Sequence, residues 1–175
     1  MMAFSILFSV CGTPILFYGD EFCKGNDKAF YDEQFARTHL PDKRYLNRGR
    51  VDWPVVEQLL QDQSSQAATV HRMVSRFAKL RANYSCLGRG DLQFIDTTPS
   101  PLHDELHDSD GILAYTREYS NSRIFVIHNL TDRIQYIHTN ILPTTMIQAD
   151  LLDQTVHIDG DALILSAYAF HWFAL

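Results

Sequence analysis

The spacing of apolar residues along the chain changes near residue 89. Upstream, the segment 65–83 predicts an amphipathic helix, because its apolar residues recur every three or four positions and would form one stripe. Ser64 or Ser65 is suited to cap the start of this helix, and Gly88 lies beyond its end. The stripe consists of Val70, Met73, Val74, Phe77 and Leu80.

Downstream of Asp91 the pattern predicts short antiparallel strands, because strand-sized runs alternate with turn sequences such as Asp-Gly-Asp at 159–161. Strands at this spacing are typical of a β-sandwich. The predicted strands are 92–95, 111–118, 123–129, 133–138, 146–152, 155–158, 162–165 and 169–174.

Two further segments lie upstream of the predicted helix. Residues 14–18 form an unbroken apolar run between Gly12 and the sequence Gly-Asp-Glu at 19–21, and this favours a strand buried on both faces of an α/β sheet. Periodicity alone fits a buried helix equally well; the flanking glycines and proline favour the strand. Residues 22–60 are rich in Asp, Arg, Lys and aromatic residues and predict a long irregular segment. Segments of this length in compact domains are usually functional or disordered, and the aromatic residues favour an ordered one.

Composition and charge exclude several classes of function. The net charge is −6 and the basic residues are scattered, so we expect no nucleic-acid partner. No apolar run reaches the about 18 residues of a membrane span, and the start of the chain lacks the basic segment of a signal peptide. The 3 cysteines form no C-x-x-C pair, which favours a reducing compartment such as the cytoplasm and disfavours structural zinc. His103 and His107 have helical metal-ligand spacing, but their polar surroundings favour a loop, so no metal site is expected.

A motif at the start of the chain resembles a known enzyme family. The segment 12–21, Gly-Thr-Pro-Ile-Leu-Phe-Tyr-Gly-Asp-Glu, resembles the G-x-P-x-x-x-Y-G-D-E motif on the eighth strand of the α-amylase (glycoside hydrolase 13) barrel. Within that superfamily the segments 25–27 and 42–50 look most like amylosucrase. Gly49 stands where proline is usual and Asn47 where histidine is common, so relatives of trehalose synthase and α-glucosidase stay open. The tail resembles the family as well, at 126–130 and 149–152.

The resemblance implies an α+β chain with two parts. Residues 1–89 would be the end of a TIM (β/α)8 barrel, with strand 8, a long loop and helix 8, and residues 90–175 an all-β C-terminal sandwich domain. The implied parent enzyme is a transglucosylase that passes glucose from sucrose to an α-1,4-glucan. It needs no cofactor, and its partner is a carbohydrate.

The residues that perform this chemistry are absent from the sequence. Retaining glycoside transfer needs two carboxyl groups about 5 Å apart. In this family the two groups follow the fourth and fifth barrel strands, and a third carboxylate follows the seventh. Neither G-x-R-x-D nor Asn-His-Asp occurs here, so we expect no catalytic residue and no activity of the chain alone. Asp20 and Glu21 are adjacent on the predicted strand and would point to opposite faces, which favours a structural role at the barrel rim.

The resemblance also implies a set of substrate-binding residues. Arg44 aligns best with the family's pocket arginine, whose planar donor fork clamps a carboxylate and sugar hydroxyls. Solvated loop arginines and acidic turn caps are the alternative for these residues. The predicted set comprises Arg44, Arg48, Arg50, Asp20, Glu21 and Asp27.

A non-enzymatic alternative concerns residues 91–175. They would form a stabilising or glycan-binding module in which Trp172, Tyr168 and Tyr115 stack on sugar rings. A lone eighth strand would also leave the apolar side chains of 15–17 exposed, mispaired or buried in a dimer, so self-association through this strand is expected.

Overall fold

The computed structural model describes residues 1–97, 111–142 and 150–175. The described residues contain five α-helices and seven strands, besides short 3-10 turns: α1 Met2–Ser9, α2 Lys28–Thr38, α3 Trp53–Gln61, α4 Gln66–Asn83, α5 Ser85–Arg89, β1 Asp91–Phe94, β2 Ile112–Tyr119, β3 Ser122–Asn129, β4 Gln135–His138, β5 His157–Asp159, β6 Ala162–Leu165 and β7 Phe170–Ala174. Among the described residues, none of the helices combines the length and apolar character needed to cross a bilayer.

The chain forms two compact units. The first consists of residues 1–14 and 76–175, and the second of residues 15–75. The predicted division into 1–89 and 90–175 refers to domains of a parent enzyme and stays a prediction.

The predicted antiparallel strands are confirmed in the first unit. One sheet has the order β1-β2-β3-β7 and the other the order β4-β6-β5, with antiparallel pairing throughout. The two sheets share one hydrophobic core, formed by Ala114, Phe125, Ile127, Ile137, Leu163, Leu165 and Phe173. The predicted strand 146–152 falls mostly outside the described residues; within them, Asp150 forms an isolated antiparallel bridge with Phe173. His103 and His107 lie outside the described residues.

The predicted helix 65–83 is confirmed as α4, and Ser65 caps it by accepting a hydrogen bond from the Ala68 amide at 3.0 Å. The prediction of an irregular segment over 22–60 was wrong, because α2 and α3 occupy much of it. Each of these helices has an aspartate cap, Asp27 and Asp52, whose side chain accepts an amide hydrogen bond of the first turn. The second unit has a small core, with Phe22, Val56 and Ala67 buried together.

The prediction of a strand at 14–18 was also wrong. Residues 13–17 form no strand, and Tyr18 and Gly19 lie in a turn. A strand requires a hydrogen-bonded neighbour, and none of the described strands pairs with this segment. Ile15 and Phe17 are exposed, and Leu16 is half-buried.

The β1–β2–β3–β7 sheet is covered by helices on the face opposite the shared core. Phe77 of α4 is fully buried and stacks on Trp172 of β7, with ring centroids 5.2 Å apart. Phe8 of α1 stacks in turn on Phe77 at 5.9 Å. Both faces are therefore packed along much of β2, β3 and β7, whereas β1 at the edge is largely exposed.

A buried hydrogen-bond network joins α1 to the same sheet. The Ser5 hydroxyl accepts a hydrogen bond from Trp172 Nε1 at 2.8 Å and lies 2.9 Å from His128 Nε2. The Ser9 hydroxyl, one turn later, lies 2.6 Å from the Tyr115 hydroxyl. Buried polar groups need such partners, so these contacts fix the position of α1 on the sheet.

Two arginines bind the carbonyls at the C-terminal end of α1. Arg117 is 1% exposed and donates to Ser9 O at 2.6 Å and to Gly90 O at 2.7 Å. Arg81 donates to Phe8 O at 2.7 Å and to the Gly12 carbonyl. The last carbonyls of a helix lack intrahelical partners and carry partial negative charge, so two cations at this position stabilise the buried helix end.

The buried histidine of this network makes stability depend on pH. Burial lowers the pKa of His128 to about 4 from 6.5. The side chain is therefore neutral in the folded state, whereas it charges near pH 6.5 in the unfolded chain. Its contribution to stability is complete above pH 6.5 and is lost as the pH falls toward 4.

We expect the free energy of unfolding to be less sensitive to acid in His128→Gln than in the wild type. Between about pH 7.5 and about pH 4.5 the wild type should lose about 2 kcal/mol more than the variant. Urea unfolding followed by tryptophan fluorescence at both pH values measures this. The exposed His157 supplies the control, since His157→Gln should keep the wild-type slope. Equal slopes for wild type and His128→Gln would contradict the assignment.

Candidate functional site

The motif segment ends in a tight turn, and both predicted acids form hydrogen bonds within it. Gly19 has φ +97°, a backbone conformation that residues with a side chain rarely adopt. Asp20 accepts a hydrogen bond from the Phe17 amide at 3.1 Å, and Glu21 accepts one from the Gly19 amide at 2.8 Å. The two carboxylates therefore stabilise the turn, as in the capping alternative stated above.

Asp27 holds the start of α2. Its carboxylate accepts the Phe30 amide at 2.8 Å, and its own amide donates to Leu46 O at 2.7 Å. Gly49 packs directly on this carboxylate, because a Cβ at that position would lie 2.6 Å from Asp27 Cγ. The Tyr18 hydroxyl donates to Gly49 O at 2.8 Å. Gly49 is thus clamped between the turn and the helix cap, which explains why a larger residue is absent here.

Arg44 forms an ion pair with Asp42. Its Nε and Nη2 atoms donate to the Asp42 carboxylate at 2.8 Å and 2.7 Å, and 72% of its side-chain surface is exposed. This hydrogen bond lowers the pKa of Asp42 to about 2. The ion pair occupies the donor fork of Arg44 in this conformation, and a sugar would have to compete with Asp42 for it.

The other predicted residues lie around two small cavities of the second unit. Arg50 and Asp27 line one cavity of about 300 Å³ together with Glu33. Asp20 lines the other, of about 280 Å³. Arg48 is exposed. The structure thus brings Arg50 close to Asp27, and the roles of all these residues in substrate binding stay predictions.

The cavity beside Asp20 contains residues that the sequence did not single out as a site. Its lining is Phe17, Tyr18, Asp20, Lys24, Asn26 and Asn47. The sequence signal was weak, because Lys24 lies outside the motif that carries the resemblance and a single lysine has no distinguishing spacing. The fold brings Lys24 onto the turn through a hydrogen bond from its amide to Gly19 O at 2.8 Å.

The sheets of the first unit do not offer the aromatic platform considered above. Tyr115 and Trp172 are fully buried, and their polar atoms bond to α1. Only Tyr168 of the three is exposed, at 54%. Stacking of Trp172 and Tyr115 on sugar was therefore a wrong alternative, since the helical layer covers that face. Across the described ranges, no group of histidine, cysteine and acidic side chains is placed to hold a metal ion.

No family model and no curated protein matches the sequence. Solved structures do match the fold. AmyP E221Q in complex with maltotriose has a TM-score of 0.65 at 13% identity, and the match covers 99% of this chain and 33% of that one. The Bacillus licheniformis trehalose-6-phosphate hydrolase has a TM-score of 0.61 at 16% identity, with 99% and 38% covered. An Anoxybacillus α-amylase has a TM-score of 0.59 at 20% identity, with 99% and 31% covered.

These structural neighbours are distant members of the α-amylase family, glycoside hydrolase 13. At such identities the likeness is one of fold. The chain spans about a third of the length of the enzymes that it matches.

The clamp around Gly49 generates a stability prediction. Gly49→Ala should lower the melting temperature, because the new Cβ must displace Asp27 from the start of α2, and overpacking of this kind costs about 1–3 kcal/mol. Gly25→Ala is the control, since a Cβ there meets nothing within 4 Å. Circular dichroism during thermal unfolding measures both variants. A melting temperature of Gly49→Ala equal to that of Gly25→Ala would show that the clamp is absent in solution.

Proposed function

We propose that this chain is the C-terminal part of an α-amylase-family transglucosylase or hydrolase, resembling amylosucrase. Residues 1–89 would complete a (β/α)8 barrel, and residues 90–175 would form its C-terminal β-sandwich. The parent enzyme would split sucrose through a covalent glucosyl-enzyme and pass the glucose to an α-1,4-glucan or to water.

One observation supports this proposal above the others. Nearly the whole chain, 99%, matches the fold of α-amylase-family enzymes, but it accounts for only 31% to 38% of their length. The proposal accounts for this ratio if the remaining two thirds of the parent precede this chain.

The surface of the second unit is a further support. Proteins rarely expose many large apolar side chains in one small region. The second unit exposes Ile15, Phe17, Tyr18, Phe35, Leu40, Trp53, Val55 and Leu59. A segment of a barrel whose other elements are provided elsewhere would have this property.

The acids of the second unit support a binding role over a catalytic one. Asp20, Glu21 and Asp27 each accept hydrogen bonds from nearby backbone amides. A nucleophile and a general acid must instead be free to face one glycosidic bond. We therefore assign both catalytic carboxylates to the parent's preceding segment and keep Asp20, Asp27 and Arg50 as residues that shape the substrate pocket.

Two alternatives stay open within this framework. Trehalose synthase or α-glucosidase parents share the fold and differ in substrate. A non-enzymatic module in residues 91–175 would act by stabilising its partner, since the buried Tyr115 and Trp172 provide no platform for glycan.

The proposal predicts that the isolated 175-residue chain has no glycosidic activity. Incubated with sucrose, maltose or trehalose, it should release neither fructose nor glucose above a heat-treated control, measured by chromatography of the products. The gene sequence upstream of the codon for Met1 should encode G-x-R-x-D and Asn-His-Asp motifs. If the motifs are present, feeding the parent enzyme each sugar separates amylosucrase from the trehalose synthase and α-glucosidase alternatives. Fructose release by the isolated chain, or an upstream sequence without these motifs, would refute the proposal.

A further inference from the structure

We propose that the cavity lined by Phe17, Tyr18, Asp20, Lys24, Asn26 and Asn47 binds a phosphorylated sugar, with Lys24 holding the phosphate group. Below it is called the Lys24 cavity. The inference rests on the proposed function for the sugar part of the ligand. The phosphate part follows from the surroundings of Lys24 alone.

The side chain of Lys24 is held in place by the turn. Its amide donates to Gly19 O at 2.8 Å, and its stem packs so closely on Gly19 that a Cβ there would lie 2.7 Å from Lys24 Cβ. The ammonium lies over the ring of Tyr18, 5.7 Å from the centroid, in cation–π geometry. A positioned cation loses less conformational entropy on binding a ligand than a free surface lysine would.

The charge of this ammonium is not compensated by the protein. Within the described part of the chain, Lys24 Nζ is shielded from solvent and has no hydrogen-bond acceptor and no carboxylate within ion-pair distance. A shielded ammonium without an acceptor is unfavourable. A turn of the Lys24 side chain toward an anion in the adjacent cavity would remove this penalty and form charge-assisted hydrogen bonds. Lys28 of the same unit is exposed and already paired with Asp32.

The remaining lining favours a sugar over a bare anion. One carboxylate oxygen of Asp20 accepts a hydrogen bond from the Phe17 amide. The other oxygen accepts no hydrogen bond within the turn, so it can accept one from a sugar hydroxyl. The amides of Asn26 and Asn47 both donate and accept, as hydroxyl recognition requires. Phe17 and Tyr18 are each 44% exposed and offer ring faces for the apolar face of a sugar.

The volume agrees with a small ligand. The cavity of about 280 Å³ lies at the lower end of the range for ligand sites, roughly 300–1,000 Å³. A phosphorylated monosaccharide is the class that combines this size with one anionic and several hydroxyl groups.

Isothermal titration of the 175-residue chain with glucose 6-phosphate, glucose and inorganic phosphate tests the proposal. The wild type should bind glucose 6-phosphate at least tenfold more tightly than either glucose or inorganic phosphate. Lys24→Met should lose this tenfold advantage over glucose, and Lys24→Arg, which keeps the charge, should retain most of it. Lys28→Met removes the same charge from an exposed ion pair of the same unit and should bind as the wild type does.

Each outcome decides the matter. Equal affinities for glucose and glucose 6-phosphate, or unchanged binding by Lys24→Met with a wild-type circular dichroism spectrum, would overturn the role of Lys24. Equal affinities for inorganic phosphate and glucose 6-phosphate would overturn the sugar part of the proposal. Loss of binding by Lys28→Met as well would reduce the effect to net charge and overturn the site. These measurements record binding without turnover. Their outcome is therefore independent of whether the parent enzyme has the proposed activity.

Discussion

The structure of the first unit depends on hydrogen-bond donors for the carbonyl groups at the buried C-terminal end of α1. A helix of eight residues leaves carbonyls without intrahelical partners, and burying them against a sheet is unfavourable unless donors are supplied. Arg117 from β2 and Arg81 from α4 supply these donors. Ser5 and Ser9 add hydrogen bonds to the sheet. The first residues of the chain are thereby fixed to its last strand, and the sheet gains a helical layer that converts Tyr115 and Trp172 into core residues.

The second unit is held together in a different way. Its core is small, and the order of residues 15–75 comes largely from local hydrogen bonds: aspartate caps on α2 and α3, the Asp20 and Glu21 contacts within the turn, and the clamp on Gly49. Local contacts of this kind define the shape of a loop region without covering its apolar side chains. The same unit contains both cavities discussed above.

The structure distinguishes among the substrate-binding residues that the family resemblance implied. The acids act as turn and helix caps, and Arg44 is paired with Asp42, whereas Arg50 and Asp27 share a cavity. Lys24 has a shielded charge beside a cavity and no protein acceptor among the described residues. An enzyme fragment that shapes a pocket while the reacting carboxylates come from elsewhere is consistent with this distribution.

The sequence by itself determined the elements whose signal is local. The apolar stripe of α4 and the strand-sized runs of β2, β3 and β6 between turn sequences predicted those elements to within one or two residues, because both signals are local in the chain. Asp27 and Asp52 cap the starts of α2 and α3. The apolar stripe of α2 is weak, whereas the short stripe of Val56, Leu59 and Leu60 in α3 was overlooked in the sequence. Only the tertiary structure decided the rest. The run 14–18 has the composition of a buried strand, yet a strand exists only where another backbone pairs with it. Contacts between residues more than a hundred positions apart decide which face of the sheet lies under helices. The burial of Trp172 and the hydrogen bonds of Arg117 to the end of α1 follow from those contacts. No local sequence pattern contains this information.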